Sequence, residues 1–328
     1  MHDSPMRPHT PLAGPILWVT LATADLEQAL AAWQAGLNLR PVAEGRIEEE
    51  IADSYAAPEI CGARWVLLGG RVGGVRLIEV KQPAAEPANW PDKPLASLGW
   101  AAVEFSVADL DSVFEQAVAA GFRPLGYPAA LGSNAAIRAG QVAVPGGGAA
   151  YLTDIRAYQG TLNLYPASQP VDRAFIAVLA SADLEADRAW LATEGVGDIV
   201  TDREVKVPVL QKTLQLADDQ MVRISSLQLA GGCLIEVDAY PAGTVSRTGQ
   251  PGSIPGSIPG SIPGSIPGSI PGSIPGSMPG WVPGLMMVTL ASQAPLAKGR
   301  HCAAPPYDGR LTQIDRLPSG ALIERVAA

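Results

Sequence analysis

The side chains best suited to chemistry in this chain are carboxylates embedded in short apolar runs. Glu79 closes Gly74-Val75-Arg76-Leu77-Ile78-Glu79, Glu236 closes Gly232-Cys233-Leu234-Ile235-Glu236, and Glu324 closes Gly320-Ala321-Leu322-Ile323-Glu324. Glu104 sits inside Ala101-Ala102-Val103-Glu104-Phe105-Ser106-Val107. Burial penalises the charged form, so a carboxyl walled by apolar side chains keeps its proton to higher pH than a free one. Such a group suits general acid or base work on a carbon acid. The structural alternative is that these glutamates pair with arginines such as Arg76 or Arg325, or stand in water at a rim. Histidine is limited to His2, His9 and His301, none in the apolar runs that open the units. Cys61, Cys233 and Cys302 are far apart and odd in number, which makes neither a disulfide framework nor a zinc motif. Gly146-Gly147-Gly148 lacks the following helix and Lys-Ser/Thr of a phosphate loop. Trp33 and Trp190 fall at helical positions and read as core.

The elements that must position these carboxylates form an internal repeat. Ala22-Thr23-Ala24-Asp25-Leu26-Glu27 returns as Ala180-Ser181-Ala182-Asp183-Leu184-Glu185 and, more loosely, as Ser106-Val107-Ala108-Asp109-Leu110-Asp111. The spacings from Asp25 to Glu79 and from Asp183 to Glu236 are almost identical. Each unit opens on an apolar strand, enters a helix and closes on a strand, and in the first unit Thr23 or Asp25 can cap the helix. Helices are expected from Asp25 to about Leu37, Asp109 to Ala120 and Asp183 to about Thr193, with Leu26, Leu30, Trp33 and Leu37 at helical spacing in the first. In the third unit, strands are expected near Leu210 to Leu216, Met221 to Leu227 and Cys233 to Val237. In the second, Thr161 to Tyr165 reads as the closing strand, with Leu164 at the glutamate position. The acidic stretch from Glu44 to Asp53 reads as a solvated loop or face. Leu285-Met286-Met287-Val288-Thr289-Leu290 parallels Leu17-Trp18-Val19-Thr20-Leu21 and opens a fourth, truncated unit without a clear helix.

The expected fold class is α+β, an array of four βαβββ units in two domains, with a disordered N-terminus over residues 1–15. The first domain spans residues 16–166 (units 16–83 and 99–166). The second spans 172–328 (units 172–242 and 284–328), interrupted by a repeat linker at 250–283. Six Pro-Gly-Ser-Ile tetrads begin at Pro251. Proline removes a donor and glycine favours turns, so neither a helix nor a central strand is expected there. At 328 residues, 47% hydrophobic and 17% charged, the chain can bury a sizeable core. A formal charge of −9 without Lys/Arg clusters argues against nucleic-acid binding. No apolar run reaches membrane-span length and no secretory leader is apparent, so a cytoplasmic protein is expected.

Paired strand-helix-strand-strand-strand units with an Asp-Leu-Glu helix start and a closing Leu-Ile-Glu strand resemble the vicinal oxygen chelate superfamily. Glyoxalase I, bleomycin-resistance proteins and extradiol dioxygenases belong to it. The resemblance implies that two units curl their sheets into one cupped, barrel-like site for a small molecule, and that a metal is held by first-strand histidine or glutamate and last-strand glutamate. Seven residues before each helix aspartate, this chain has Trp18, Ala102 and Ile176, and the fourth unit aligns Met287 there. None ligates a hard divalent cation, so neither a metal nor another cofactor is expected. Trp18, Ala102, Ile176, Met287 and Tyr151 are instead read as ligand-lining, with Asp154 and Tyr158 as weaker candidates beside Tyr151 in the first cup. Pairing units one with two and three with four would put Glu79 with Glu104, and Glu236 with Glu324, as catalytic pairs. The expected activity is metal-independent isomerisation, proton transfer or lyase chemistry on a small carbonyl, enol or aromatic compound. The alternatives are sequestration of a hydrophobic small molecule and a scaffolding role. Whether units pair within one chain or across a homodimer is left open.

Overall fold

The computed structural model describes residues 13–70, 72–81, 93–131, 134–246 and 281–328. The first unit comprises β1 (Ala13–Thr23), α1 (Leu26–Leu37), β2 (Pro41–Arg46), α2 (Glu49–Ser54), β3 (Arg64–Leu68) and β4 (Gly74–Glu79). The second comprises β5 (Gly99–Val107), α3 (Leu110–Ala119), β6 (Arg123–Leu131), β7 (Asn134–Ala143) and β8 (Ala149–Ile155). The third holds β9 (Val171–Ser181), α4 (Leu184–Thr193), β10 (Asp198–Val205), α5 (Pro208–Leu214), β11 (Val222–Leu229) and β12 (Cys233–Ala239). The fourth holds β13 (Gly284–Ser292), β14 (Arg300–His301), β15 (Leu311–Arg316) and β16 (Leu322–Ala327), with no helix among its described residues.

The aspartate of the repeated Asp-Leu phrase caps each helix, which for the first decides between Thr23 and Asp25. Asp25, Asp109 and Asp183 accept from the backbone N–H groups of Gln28, Ser112 and Ala186 at 2.9, 3.2 and 3.0 Å. Each satisfies a donor that the helix start leaves open, a contribution of about 1 kcal/mol.

The sheets pair differently from the expected order. One eight-stranded sheet runs β14-β15-β16-β13-β1-β4-β3-β2 and joins units one and four; the other runs β10-β11-β12-β9-β5-β8-β7-β6 and joins units two and three. At each seam the two opening strands pair antiparallel, β1 with β13 and β5 with β9, with register irregularities that bend the strands and curl the sheet. All four opening strands are similarly apolar, so their sequences do not specify a partner. Pairing one with two and three with four is therefore corrected to a nested order.

One face of each sheet enters a common core. Val19, Leu21 and Leu77 from the first sheet join Val103, Phe105, Ala177 and Leu179 from the second, together with residues of α1, α3 and α4. Hydrogen bonds also tie the halves: Trp100 Nε1 donates to the Leu322 carbonyl at 2.7 Å, and the Ser319 N–H to Asp187 Oδ1 at 3.0 Å. Gly73, at φ +70°, receives the Ala174 N–H at its carbonyl, and a Cβ there would collide with Arg173. The opposite face of each sheet forms a cup.

Several local expectations also change. The N-terminal boundary moves, because β1 begins at Ala13 and residues 1–12 lie outside the described ones. The strand expected from Leu210 is helix α5, for which Pro208 supplies a fixed φ at the first turn and Gln215 the left-handed end. The strand expected at Thr161 to Tyr165 gives way to a 3-10 turn at Gly160–Leu162. The acidic stretch forms exposed β2 and then α2, which buries Ile51 and Ala52. The tetrads lie outside the described residues, which resume at Trp281.

Candidate functional site

Strand register fixes which side chains enter each cup, since alternate residues share a face. In the first sheet Thr20 lies beside Arg76 and Thr289 beside Glu324. In the second, Glu104 lies beside Tyr151 and Val178 beside Glu236. Arg76, Tyr151, Glu236 and Glu324 therefore hold the equivalent place on the closing strands of units one to four.

The first cup is occupied by the protein's own side chains. Arg76 is buried and donates from Nη1 to the Tyr307 hydroxyl at 2.7 Å, from Nη2 to the Tyr55 hydroxyl at 2.8 Å and from Nε to Thr20 Oγ1 at 3.1 Å. Tyr307 and Tyr55 in turn donate to Glu324 Oε1 at 2.8 and 3.1 Å, and Thr289 donates to Oε2 at 2.7 Å. The guanidinium stands 3.9 Å from that carboxylate, 5.8 Å over the Trp18 ring, and near Tyr55 and Tyr307. Burial alone would pull Arg76 down, but Tyr307, Tyr55 and Glu324 more than compensate and keep it charged. Burial pushes both phenols up, so they stay protonated as donors. Trp18, Met287, Leu322 and Trp281 pack around this network, with Trp281 stacked on Tyr55 at 5.3 Å. The cup is charge-balanced and hydrogen-bonded within itself.

The second cup is different. Glu104 is buried and accepts from Thr153 Oγ1 at 2.8 Å. Burial first, and the charge of Glu236 second, push Glu104 up to about 8. Glu236 is pushed up to about 7 by burial, against a lowering pull from Arg203. Asp238 shares the face of Glu236 two residues on; burial, then Glu236 and Glu104, raise it well above the usual range. Its Oδ1 is buried without a hydrogen-bond partner, as is the Ser106 hydroxyl on the face of Glu104. Tyr151 and Tyr240 complete the group, both raised by burial first and then by their charged neighbours, Asp238 among them. Ala102 and Ile176 supply apolar wall.

The cups differ in the segments inserted between the second and third strands of their units. Between its second and third strands, unit one inserts α2 and a 3-10 turn, which bring Tyr55; unit four inserts residues 302–310, which bring Tyr307. Both insertions enter the first cup. Unit three inserts α5, whose Val209 and Leu210 are buried and which reaches across to β6 at the far edge of the curled sheet. In unit two β6 ends at Leu131 and β7 begins at Asn134, with no inserted element among the described residues. The second cup thus has one plug where the first has two.

The expected residues divide accordingly. Trp18 and Met287 line the first cup, whereas Ala102, Ile176 and Tyr151 line the second. Tyr151 therefore does not line the first cup. Asp154 pairs with Arg156 at 3.0 Å on the other face of β8, in a surface cleft of about 380 Å³ that also includes Asp111 and Arg138. Tyr158 is exposed. Glu79 faces away from the first cup on partly exposed β4 surface, because Arg76 and Ile78 take the cup-facing positions. The pairs Glu79–Glu104 and Glu236–Glu324 do not form. Glu104 meets Glu236, and Glu324 meets Arg76. Asp238 and Tyr240 were missed, although alternation from Leu234 through Glu236 would have placed Asp238 on the same face.

No family model and no curated protein matches the chain. Solved structures do. Glyoxalase I from Zea mays superposes with a TM-score of 0.53 at 13% identity, covering 95% of this chain and 92% of that one. A Bacillus subtilis protein described as a "putative dioxygenase" gives 0.55 at 10% identity, covering 97% and 86%. At such identities the likeness is one of fold.

Proposed function

We propose, from the premise that the chain has the vicinal oxygen chelate fold, that it is an enzyme of isomerase or lyase type. It moves a proton on a small carbonyl or enol compound held in the second cup. The observation that carries this reading is the meeting of Glu104 and Glu236 in one cup, with proton affinities raised to about 8 and about 7. Two like groups whose surroundings separate their titrations supply an acid and a base from one residue type.

The metal implied by the fold does not fit the residues present. In the first cup a buried guanidinium takes the place equivalent to Glu324, and that carboxylate already accepts from Tyr55, Tyr307 and Thr289. In the second the first-strand positions are Ala102 and Ile176, and the described residues include no group of three His, Cys, Asp or Glu placed to hold an ion. The reaction is therefore written with carboxyl groups alone. Ionised Glu236 takes the proton from carbon beside the carbonyl. The C–H electron pair becomes the C=C bond, and the carbonyl oxygen receives the proton of Glu104. Where the substrate carries a hydroxyl on the carbon that lost its proton, the C=C pair takes the proton of Glu236 at the former carbonyl carbon. Glu104 takes the proton of that hydroxyl, and the hydroxyl oxygen becomes the new carbonyl, which completes an isomerisation.

Exchange of substrate C–H for deuterium in D2O, followed by NMR over a panel of small carbonyl compounds, tests this. The wild-type chain is expected to catalyse exchange best between about pH 7 and 8, where Glu236 is ionised and Glu104 protonated. E104Q and E236Q are expected to lose about a hundredfold or more while still binding. Binding with no exchange, or with exchange unchanged in both variants, would favour sequestration. The missing second plug gives that reading its support.

A further inference from the structure

The two cups of this molecule carry equivalent closing-strand positions, and the first shows what a cup glutamate takes as its neighbour. There the partner of Glu324 is a guanidinium, linked to it through two phenols and a direct approach of 3.9 Å. In the second cup the position equivalent to Arg76 is Tyr151, so the cation is missing while the acid load has grown from Glu324 alone to Glu104, Glu236 and Asp238. Arg203, on β10, is an exposed counter-charge at that edge and acts on Glu236. Two buried polar atoms, Asp238 Oδ1 and the Ser106 hydroxyl, have no partner. Leaving such groups unpaired in the interior is destabilising, and more so where the group is charged. Unit two, the equivalent of unit one, has no counterpart among the described residues of the segment that brings Tyr55 into the first cup.

We propose that the second cup takes a small organic cation bearing N–H donors, an ammonium or guanidinium, seated on Asp238 beside Glu236 and filling the role that Arg76 plays in the first cup. This rests on the reading of the second cup as the site, and gives the carbonyl or enol substrate a cationic nitrogen. The cation sits at the Asp238 end, and Glu104 faces it from β5. Binding draws protons from the carboxyl groups facing the cation, namely Asp238 and Glu236 on β12 and Glu104 on β5. Tyr151 from β8 and Tyr240 after β12, whose hydroxyl donates to the Leu95 carbonyl at 3.0 Å, remain protonated.

Calorimetric titration of the full chain with n-butylammonium and methylguanidinium, against neutral 1-butanol and N-methylurea and against tetramethylammonium, which lacks N–H groups, tests the proposal. Both N–H cations are expected to bind saturably, about tenfold or more tighter than the neutral isosteres at pH 9 and correspondingly weaker at pH 6. The heat is expected to vary with buffer because protons are released. D238N is expected to lose that preference. Equal binding of cation and isostere, no cation binding at pH 9, or an unchanged preference in D238N would overturn the proposal. Should D238N fail to fold, the wild-type contrast of cation with isostere decides alone. E104Q separates the two claims: it is expected to weaken cation binding only in part, since Asp238 and Glu236 remain, while losing C–H exchange. Exchange surviving in E104Q would count against the acid–base reading and leave the cation site standing.

Discussion

Glu104 and Glu236 are costly to hold ionised, and this has a measurable consequence for folding. Unfolded glutamates titrate near about 4.3, whereas these are raised to about 8 and about 7 in the folded chain. Above pH 4.3 the unfolded chain gives up protons that the folded cup keeps, so their contribution to stability falls as pH rises and levels off beyond about pH 8. E104Q and E236Q are therefore expected to be more stable than wild type at pH 9, with a shallower loss between pH 5 and pH 9 in urea unfolding. Equal slopes for wild type and both variants would show that the cup does not raise these groups. The same scale explains one failure of sequence reading. The Leu-Ile-Glu phrase makes Glu79 look equivalent to Glu236 and Glu324, but the spacing from the helix aspartate is one residue longer in unit one. Side chains alternate along a strand, so an odd offset puts Glu79 on the other face and gives the cup position to Arg76. The carboxylates of the second cup were legible as residues, but their company was not.

Among the elements, those with local signals were readable and those defined by what they fill were not. The aspartate caps and helical periodicity place α1, α3 and α4, whereas α5 is a short apolar stretch that only its position across the cup makes intelligible. The insertions that carry Tyr55 and Tyr307 gave no sequence sign that they converge on Arg76 and Glu324. Their network makes a separate prediction. R76M leaves Glu324 buried without its counter-charge and is expected to destabilise the chain by about 3–5 kcal/mol in urea unfolding. R76M/E324M removes both charges and is expected to recover most of that loss, because a buried ion pair replaced by apolar side chains of similar volume is often neutral or stabilising. The first cup is otherwise core, so the double variant is expected to retain the ligand binding of the second cup. Loss of binding in a folded R76M/E324M chain would show that the first cup takes part in the site.

At the scale of the molecule, the repeat disclosed four units and their order, but not their partners. Units one and four sit at opposite ends of the described chain yet share the β1–β13 seam, and units two and three lie nested between them. Every opening strand offers the same kind of apolar surface, and only three-dimensional packing chooses among them. The Pro-Gly-Ser-Ile tetrads connect β12 of one sheet to β13 of the other. Excision of residues 251–274 leaves both seams intact, and the thermal midpoint is expected to move by no more than a few degrees; loss of the folded state would show that the tetrads are structural. No helix among the described residues is long and apolar enough to cross a membrane. The proposed chemistry depends most on Glu104 and Glu236 exchanging protons near neutral pH within one cup, and infrared titration of the carboxyl groups from pH 5 to pH 9 measures that directly. Two glutamic acid signals are expected to persist above pH 6 and to fade between about pH 7 and 8, one lost in E104Q and the other in E236Q. Complete ionisation of both groups by pH 5 would contradict it.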